Sequence, residues 1–66
     1  MFSQRVKELR IDKKLSQEKL AKDLNVSRTT VLKWENGEHE TDFRTLVKIA
    51  DFFDVSLDFL LGRKDY

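Results

Sequence analysis

The 66-residue chain has no cysteine and no proline, and its only glycines are Gly37 and Gly62. Without cysteine it has neither a disulfide framework nor a cysteine-ligated zinc site. No run approaches the ~18 apolar residues of a membrane span, and residues 1–10 lack the apolar stretch of a signal peptide. The length is that of one small domain. We therefore expect a single domain over residues 1–66 in a soluble, cytoplasmic protein.

Charge is unevenly distributed along the chain, although the formal net charge is only +1. Residues 1–33 contain nine basic and four acidic residues, a balance of +5, whereas residues 34–66 contain four basic and eight acidic residues, a balance of −4. Such asymmetry indicates an anionic partner for one side of the molecule. Solvated helix faces whose signs happen to segregate explain it equally well.

Apolar residues recur at helical spacing, and no stretch alternates as a strand does. Serine, threonine or aspartate stands where each helix would begin, and Asn25 and Gly37 stand where helix ends need a left-handed residue. The chain is therefore predicted to be all-α. The first predicted helix is capped by Ser3 and runs to about Lys13, and the second is capped by Ser16 and runs to Leu24. The third is capped by Ser27 and runs to Asn36. The fourth is capped by Thr41 or Asp42 and runs to Phe53, and the fifth is capped by Ser56 and runs to Leu61.

The second and third predicted helices are joined by a turn too short for antiparallel packing, which is the geometry of a helix-turn-helix. Ala21 is small where the two backbones approach, and Asn25 suits the turn. The apolar wedge between the helices would come from Leu20, Leu24, Val26, Val31 and Trp34.

The chain resembles the phage repressor and Cro-like helix-turn-helix proteins, also called XRE-like. The resemblance covers nearly the whole chain. It implies a compact, five-helix, lambda-repressor-like domain that recognises operator DNA through its third helix, usually as a dimer. The residues that carry it are Arg10, LSQEKLA at 15–21, Val26-Ser27, WENG at 34–37, LVKIA at 46–50 and VSLDFLLG at 55–62.

The exposed face of the third helix carries the candidate base contacts. If Val31 and Trp34 face the core, about 3.6 residues per turn places the candidates on the opposite side. The N-terminal end of a recognition helix enters the major groove, and Arg28 can pair with guanine O6 and N7. The alternative is that these residues form an ordinary solvated helix face. For Leu32 and Lys33, base contact and a solvated face have equal support. The candidates are Ser27, Arg28, Thr29, Leu32 and Lys33.

The candidate phosphate contacts are Gln17, Asn36 and Arg44. Gln17 opens the second helix, where free backbone amides and the positive dipole end favour an anion, and the resemblance implies the same role. Asn36 either donates to a phosphate or satisfies the end of its own helix. Arg44 resembles a position from which relatives reach toward the minor groove, or it is a charge on a solvated face.

The loop after Gly37 departs from the family pattern. Relatives often have basic residues there, whereas this chain has Glu38, His39 and Glu40, followed by Thr41 where proline is common. Either the loop stays off the DNA or the protein binds less tightly than its relatives. His39 is expected to be a loop residue, since no cysteine or second histidine completes a metal site.

The resemblance also implies an ion pair between Arg10 and Glu35. A different expectation concerns the last helix, where Leu57 and Phe59 point away from its core side. They would form an exposed apolar patch for a weak homodimer, or they would cover the base of the domain.

The function most consistent with these features is sequence-specific regulation of transcription, by a repressor that binds double-stranded DNA at a pseudo-palindromic operator. The alternative is an antitoxin-like or partner-binding module whose fifth helix holds another protein. An enzyme is disfavoured, because the sequence has no glycine-rich phosphate loop and no nucleophile with a base at motif spacing. No cofactor, metal or small-molecule substrate is expected.

Overall fold

The computed structural model describes residues 2–38 and 41–65. These residues form five α-helices joined by short turns and contain no strand, which confirms the predicted all-α class for this part of the chain. None of these helices has the length and apolar character needed to cross a membrane. The helices are α1 (Phe2–Asp12), α2 (Gln17–Leu24), α3 (Arg28–Asn36), α4 (Phe43–Phe53) and α5 (Leu57–Leu60).

Helices α2 to α5 all begin in the same way. The N-cap side-chain oxygen accepts a hydrogen bond, 3.0–3.1 Å long, from a backbone amide of the first turn, which would otherwise lack a partner. The caps are Ser16, Ser27, Asp42 and Ser56. Hydrogen bonds from the side chain and then the backbone amide of Thr45 hold the pKa of the Asp42 carboxyl below its usual value.

The first helix differs from the sequence prediction. Ser3 is not its N-cap, because α1 already includes Phe2. The Phe2 ring packs against the core and meets the Trp34 ring edge-on at a centroid distance of 6.4 Å. This long-range contact favours helical backbone two residues earlier than a cap at Ser3 would give. At their C-termini, α1 ends at Asp12 rather than Lys13, and α5 ends at Leu60 rather than Leu61.

Left-handed residues close the ends of α2, α3 and α4. Asn25 has φ 59° and Gly37 has φ 73°, as predicted, and Asp54 does the same at φ 55°. At the end of α2, the Asn25 amide donates to the Lys22 carbonyl and the next amide donates to the carbonyl of Ala21. This pair of bonds is the Schellman motif, which ends a helix sharply. Lys14, after α1, also has a positive φ of 59°.

All five helices contribute to one core. Trp34 lies in it with 1% of its surface exposed, and Leu20, Val31 and Leu60 are fully buried. Helix α3 packs against both α1 and α2, and α5 packs against α1 and α4. A hydrogen bond from the Lys48 amino group to the Leu24 carbonyl also ties α4 to the end of α2. The buried residues are Val6, Leu20, Ala21, Leu24, Val31, Trp34, Ile49, Ala50, Phe53 and Leu60.

The capping assignment gives a first prediction. Replacing Ser16 with Ala removes the acceptor of the Lys19 amide, so the free energy of unfolding should fall by about 1 kcal/mol. Replacing Ser3 with Ala should change it by less than about 0.5 kcal/mol, because Ser3 lies inside a helix and alanine favours helix. Urea unfolding followed by circular dichroism measures both. Equal losses for the two variants would contradict the assignment.

Candidate nucleic-acid interface

Helix α3 divides into a buried side and an exposed side. Val31 and Trp34 face the core, and the neighbouring surface consists of exposed residues. Leu32 lies on this exposed side and keeps 43% of its surface accessible. The structure thus brings together on one exposed surface the candidate base contacts Arg28, Thr29, Leu32 and Lys33.

Ser27 has a role within the protein that sequence reasoning also identified. Its Oγ accepts from the Thr30 amide at 3.1 Å and lies 2.9 Å from the Thr30 Oγ1. The hydroxyl is exposed at the start of α3, at the end of the helix that carries Arg28. Because its oxygen already caps the helix, Ser27 fixes where α3 begins.

A two-point ion pair joins α1 to α3 behind this surface. Arg10 Nε lies 2.6 Å from Glu35 Oε2, and Arg10 Nη2 lies 3.0 Å from Glu35 Oε1. The two side chains are only 13% and 3% exposed. The remaining guanidinium nitrogen donates to the Leu15 carbonyl at 2.8 Å. Parallel bonds of this kind fix both the distance and the angle between their partners.

Gln17 extends the ion pair into the helix-turn-helix. Its Nε2 donates to Glu35 Oε1 at 3.1 Å, so the first residue of α2 is tied to the last part of α3. One carboxylate therefore holds groups from α1 and α2 together. Sequence reasoning placed Gln17 at the start of α2 but missed this bond, because the spacing of the two residues along the chain carries no signal for it.

The other two candidate phosphate contacts are exposed. Asn36 ends α3, and its Nδ2 donates to Glu38 Oε2 at 3.0 Å. Arg44 lies in the first turn of α4, where its charge contributes to the lowered pKa of Asp42. His39 and Glu40 lie outside the described residues. Within the described part of the chain, no group of three or more histidines and carboxylates is placed to hold a metal ion.

Leu57 and Phe59, the two candidates for an apolar patch on the last helix, are both partly buried. Leu57 packs against the core, and Phe59 is half-buried with the Arg5 guanidinium 4.2 Å from its ring centroid. Helix α5 packs against α1, which supplies Arg5, and the side chains of Leu57 and Phe59 keep part of their surface accessible. The exposed apolar side chain at this end of the domain is Leu61, at 40%.

Phe43 is the most exposed large apolar residue that the structure describes, at 72%. It directly follows the N-cap of α4, a position that lies at the end of the helix rather than along its buried side. Sequence reasoning did not single out Phe43. Its place next to Asp42 and Arg44 puts it beside one of the candidate phosphate contacts.

Comparison with known proteins identifies the same motif. A family model described as helix-turn-helix (HTH_3) matches residues 6–60. An uncharacterised HTH-type transcriptional regulator of Bacillus subtilis, YqaE, is 43% identical over 61 residues, which are 92% of this chain and 53% of that protein.

Two further relatives are named for opposite effects on transcription. The HTH-type transcriptional activator BcrR of Enterococcus faecalis is 41% identical over 97% of this chain and 31% of its own length. The cryptic phage CTXphi transcriptional repressor RstR of Vibrio cholerae is 33% identical over 86% of this chain and 51% of its own length. The chain thus spans about half the length, or less, of these relatives.

The ion pair gives a second prediction. Replacing Arg10 with Met leaves the Glu35 carboxylate buried without its cation, at a cost of about 3–5 kcal/mol in unfolding free energy. Replacing Arg5 with Met removes a cation–π contact and should cost only about 1 kcal/mol. Thermal unfolding measures both.

A double variant separates a stranded charge from lost packing. Replacing Arg10 with Met and Glu35 with Leu together removes both charges, so the double variant should melt at a higher temperature than Arg10→Met alone. Equal melting temperatures for Arg10→Met and Arg5→Met, or a double variant less stable than Arg10→Met, would overturn this account.

Proposed function

Because the chain belongs to the helix-turn-helix family of transcriptional regulators, we propose that it is a sequence-specific DNA-binding regulator whose α3 enters the major groove. The observation that carries this proposal is the two-sided character of α3. Its buried side anchors it in the core, while Arg28 and its exposed neighbours have no part in that core. A helix held in this way can enter a groove about 12 Å wide without disturbing the fold.

In the proposed complex, the first turn of α3 reads the bases. Arg28 donates two hydrogen bonds to guanine O6 and N7, and Thr29 presents a hydroxyl or a methyl group to the next base pair. Leu32, exposed at 43%, packs on a thymine methyl. Lys33 lies about one turn further on and contacts either a base or the backbone.

Phosphate contacts position this helix. Gln17 Nε2 carries two hydrogens, of which one is bonded to Glu35, and the second is available to a phosphate oxygen. The free backbone amides at the start of α2 add a partial positive charge at the same place. Asn36 and Arg44 complete the proposed phosphate contacts on either side of the loop.

We propose that the protein binds DNA as a weak homodimer at a pseudo-palindromic operator. Two-fold symmetric binding places two recognition helices about 34 Å apart, one turn of DNA. Leu61, with the accessible edges of Leu57 and Phe59, supplies the apolar surface for this contact. We propose a repressor, as one relative is named, although another relative is named an activator.

The partner-binding alternative has less support from the structure. It relies on a broad apolar surface on α5, and two of the residues expected there are half-buried. We propose no catalytic role, cofactor or metal for this chain, and we place its action in the cytoplasm, where bacterial DNA is accessible to a regulator.

The proposal is tested by selecting bound duplexes from a random DNA pool and then titrating the selected site against salt. The logarithm of the affinity should fall linearly with the logarithm of the salt concentration, with a slope of about −0.9 per phosphate neutralised. Enrichment of no sequence, or an affinity independent of salt, would exclude DNA recognition by this domain.

Replacing Arg28 with Ala should weaken binding to the selected site by about 1–3 kcal/mol and remove the preference at one base position. The matched control is Arg63→Ala, which removes the same charge from an exposed position after α5. It should leave the selected motif unchanged. If Arg28→Ala selected the same motif as the unmodified protein, the base-contact assignment would be wrong.

The symmetry of the selected motif tests the dimer separately. We expect two half-sites whose centres are about 10 base pairs apart. Sedimentation should show a monomer in the free protein and two chains per DNA duplex in the complex. A single half-site bound by one chain would refute the dimer and leave sequence-specific recognition standing.

A further inference from the structure

We propose that Glu38 limits the affinity of this chain for DNA, by occupying the side-chain amide of Asn36 and by placing an unneutralised carboxylate beside the DNA-binding surface. The inference rests on the proposed function, since it concerns how strongly the same surface binds phosphates. Glu38 is assigned a contribution that lowers the affinity for DNA, whereas the contacts proposed above all raise it.

The backbone of Glu38 is held in place at the end of α3. Its amide donates to the Lys33 carbonyl at 3.0 Å, and the Gly37 amide donates to the Trp34 carbonyl at 3.1 Å. With Gly37 at φ 73°, these bonds form a second Schellman motif. The Glu38 side chain therefore extends from a backbone position that is fixed next to α3.

The side chain of Glu38 turns back toward the helix. Its Oε2 accepts the hydrogen bond from Asn36 Nδ2 at 3.0 Å, and both residues are exposed. Asn36 is the residue at the end of α3 that we propose donates to a phosphate. A phosphate oxygen that bonds the second hydrogen of this amide must lie close to the Glu38 carboxylate, and one that bonds the first hydrogen must displace it.

The comparison with Glu35 shows why the charge matters. Glu35 also accepts from an amide of a proposed phosphate contact, Gln17, but its charge is neutralised by Arg10. Among the ion pairs between described residues, none involves Glu38. Its full negative charge therefore acts on any phosphate that approaches Asn36.

A contribution to fold stability does not explain why a glutamate occupies position 38. The C-terminal end of a helix carries a partial negative charge, so a carboxylate there is unfavourable, and a Schellman motif usually has an apolar residue at this position. A hydrogen bond between two exposed side chains contributes little to folding. Removing the carboxylate should therefore leave the melting temperature unchanged or raise it.

The expected effect on binding follows from Coulomb's law with salt screening. Removing one charge several ångströms from a phosphate should tighten binding by about 3- to 10-fold at low salt. The gain should apply to the selected site and to random duplex alike, because phosphates are common to both. It should shrink at about 0.15 M salt, where the screening length falls to ~8 Å.

The test compares four variants of the chain by fluorescence anisotropy, on the selected duplex and on a random duplex. Glu38→Gln removes the charge but keeps an acceptor for Asn36, whereas Glu38→Ala removes both. Glu8→Gln and Glu8→Ala are matched controls at an exposed position of α1. We expect both Glu38 variants to bind DNA more tightly than the unmodified protein does. The affinity of Glu38→Ala should exceed that of Glu38→Gln by about twofold. The affinities of both Glu8 controls should lie within about twofold of the affinity of the unmodified protein.

The outcomes separate this inference from the proposed function. If the unmodified protein and all four variants fail to bind any duplex, the proposed function is wrong. If all bind and the Glu38 variants match the unmodified protein or the Glu8 controls, only the role of Glu38 is overturned. Equal affinities for Glu38→Gln and Glu38→Ala would exclude competition for the Asn36 amide and leave the effect of charge alone.

Discussion

The orientation of the helix-turn-helix depends on one ion pair. A chain of 66 residues buries a smaller fraction of its surface on folding than a larger domain does, so its core leaves a narrower margin of stability. The bonds between Arg10 and Glu35 supply a directional constraint that apolar contacts lack. Because Gln17 and the Leu15 carbonyl complete the same network, α1, α2 and α3 meet at one carboxylate. Such a network contributes more to a defined geometry than to net stability, since desolvating its charges offsets much of their attraction.

In the proposed complex, stability and DNA recognition are assigned to different sides of α3. The side chains of Val31 and Trp34 hold the helix, and the Ser27 cap and the Gly37 turn fix its two ends. The exposed side chains of Arg28, Thr29, Leu32 and Lys33 lie outside the core, so under the proposed function substitution there should change DNA preference without changing the fold. A helix of nine residues is enough for this purpose because both ends are capped by bonds within the chain.

Local features of this fold were predictable from the sequence, and features that depend on distant contacts were not. The caps at Ser16 and Ser27 and the turns at Asn25 and Gly37 involve residues at most a few positions apart. The start of α1 was wrong because Phe2 packs on Trp34, which lies far along the chain. For Leu57 and Phe59 the sequence left an exposed patch and a cover for the base of the domain both open, because no local pattern shows that α1 brings Arg5 onto Phe59. The ion pair itself was anticipated only through family resemblance, whereas the bonds of Gln17 and Asn36 to carboxylates required the structure.

The left-handed turns have a consequence for the unfolded chain. Lys14, Asn25 and Asp54 adopt positive φ although none of them is glycine; asparagine and aspartate tolerate this backbone region, whereas lysine is uncommon in it. A chain with only two glycines samples fewer backbone conformations when it is denatured, so it gives up less entropy on folding. Part of the free energy of unfolding thus comes from the restricted conformations of the unfolded chain rather than from contacts within the folded domain.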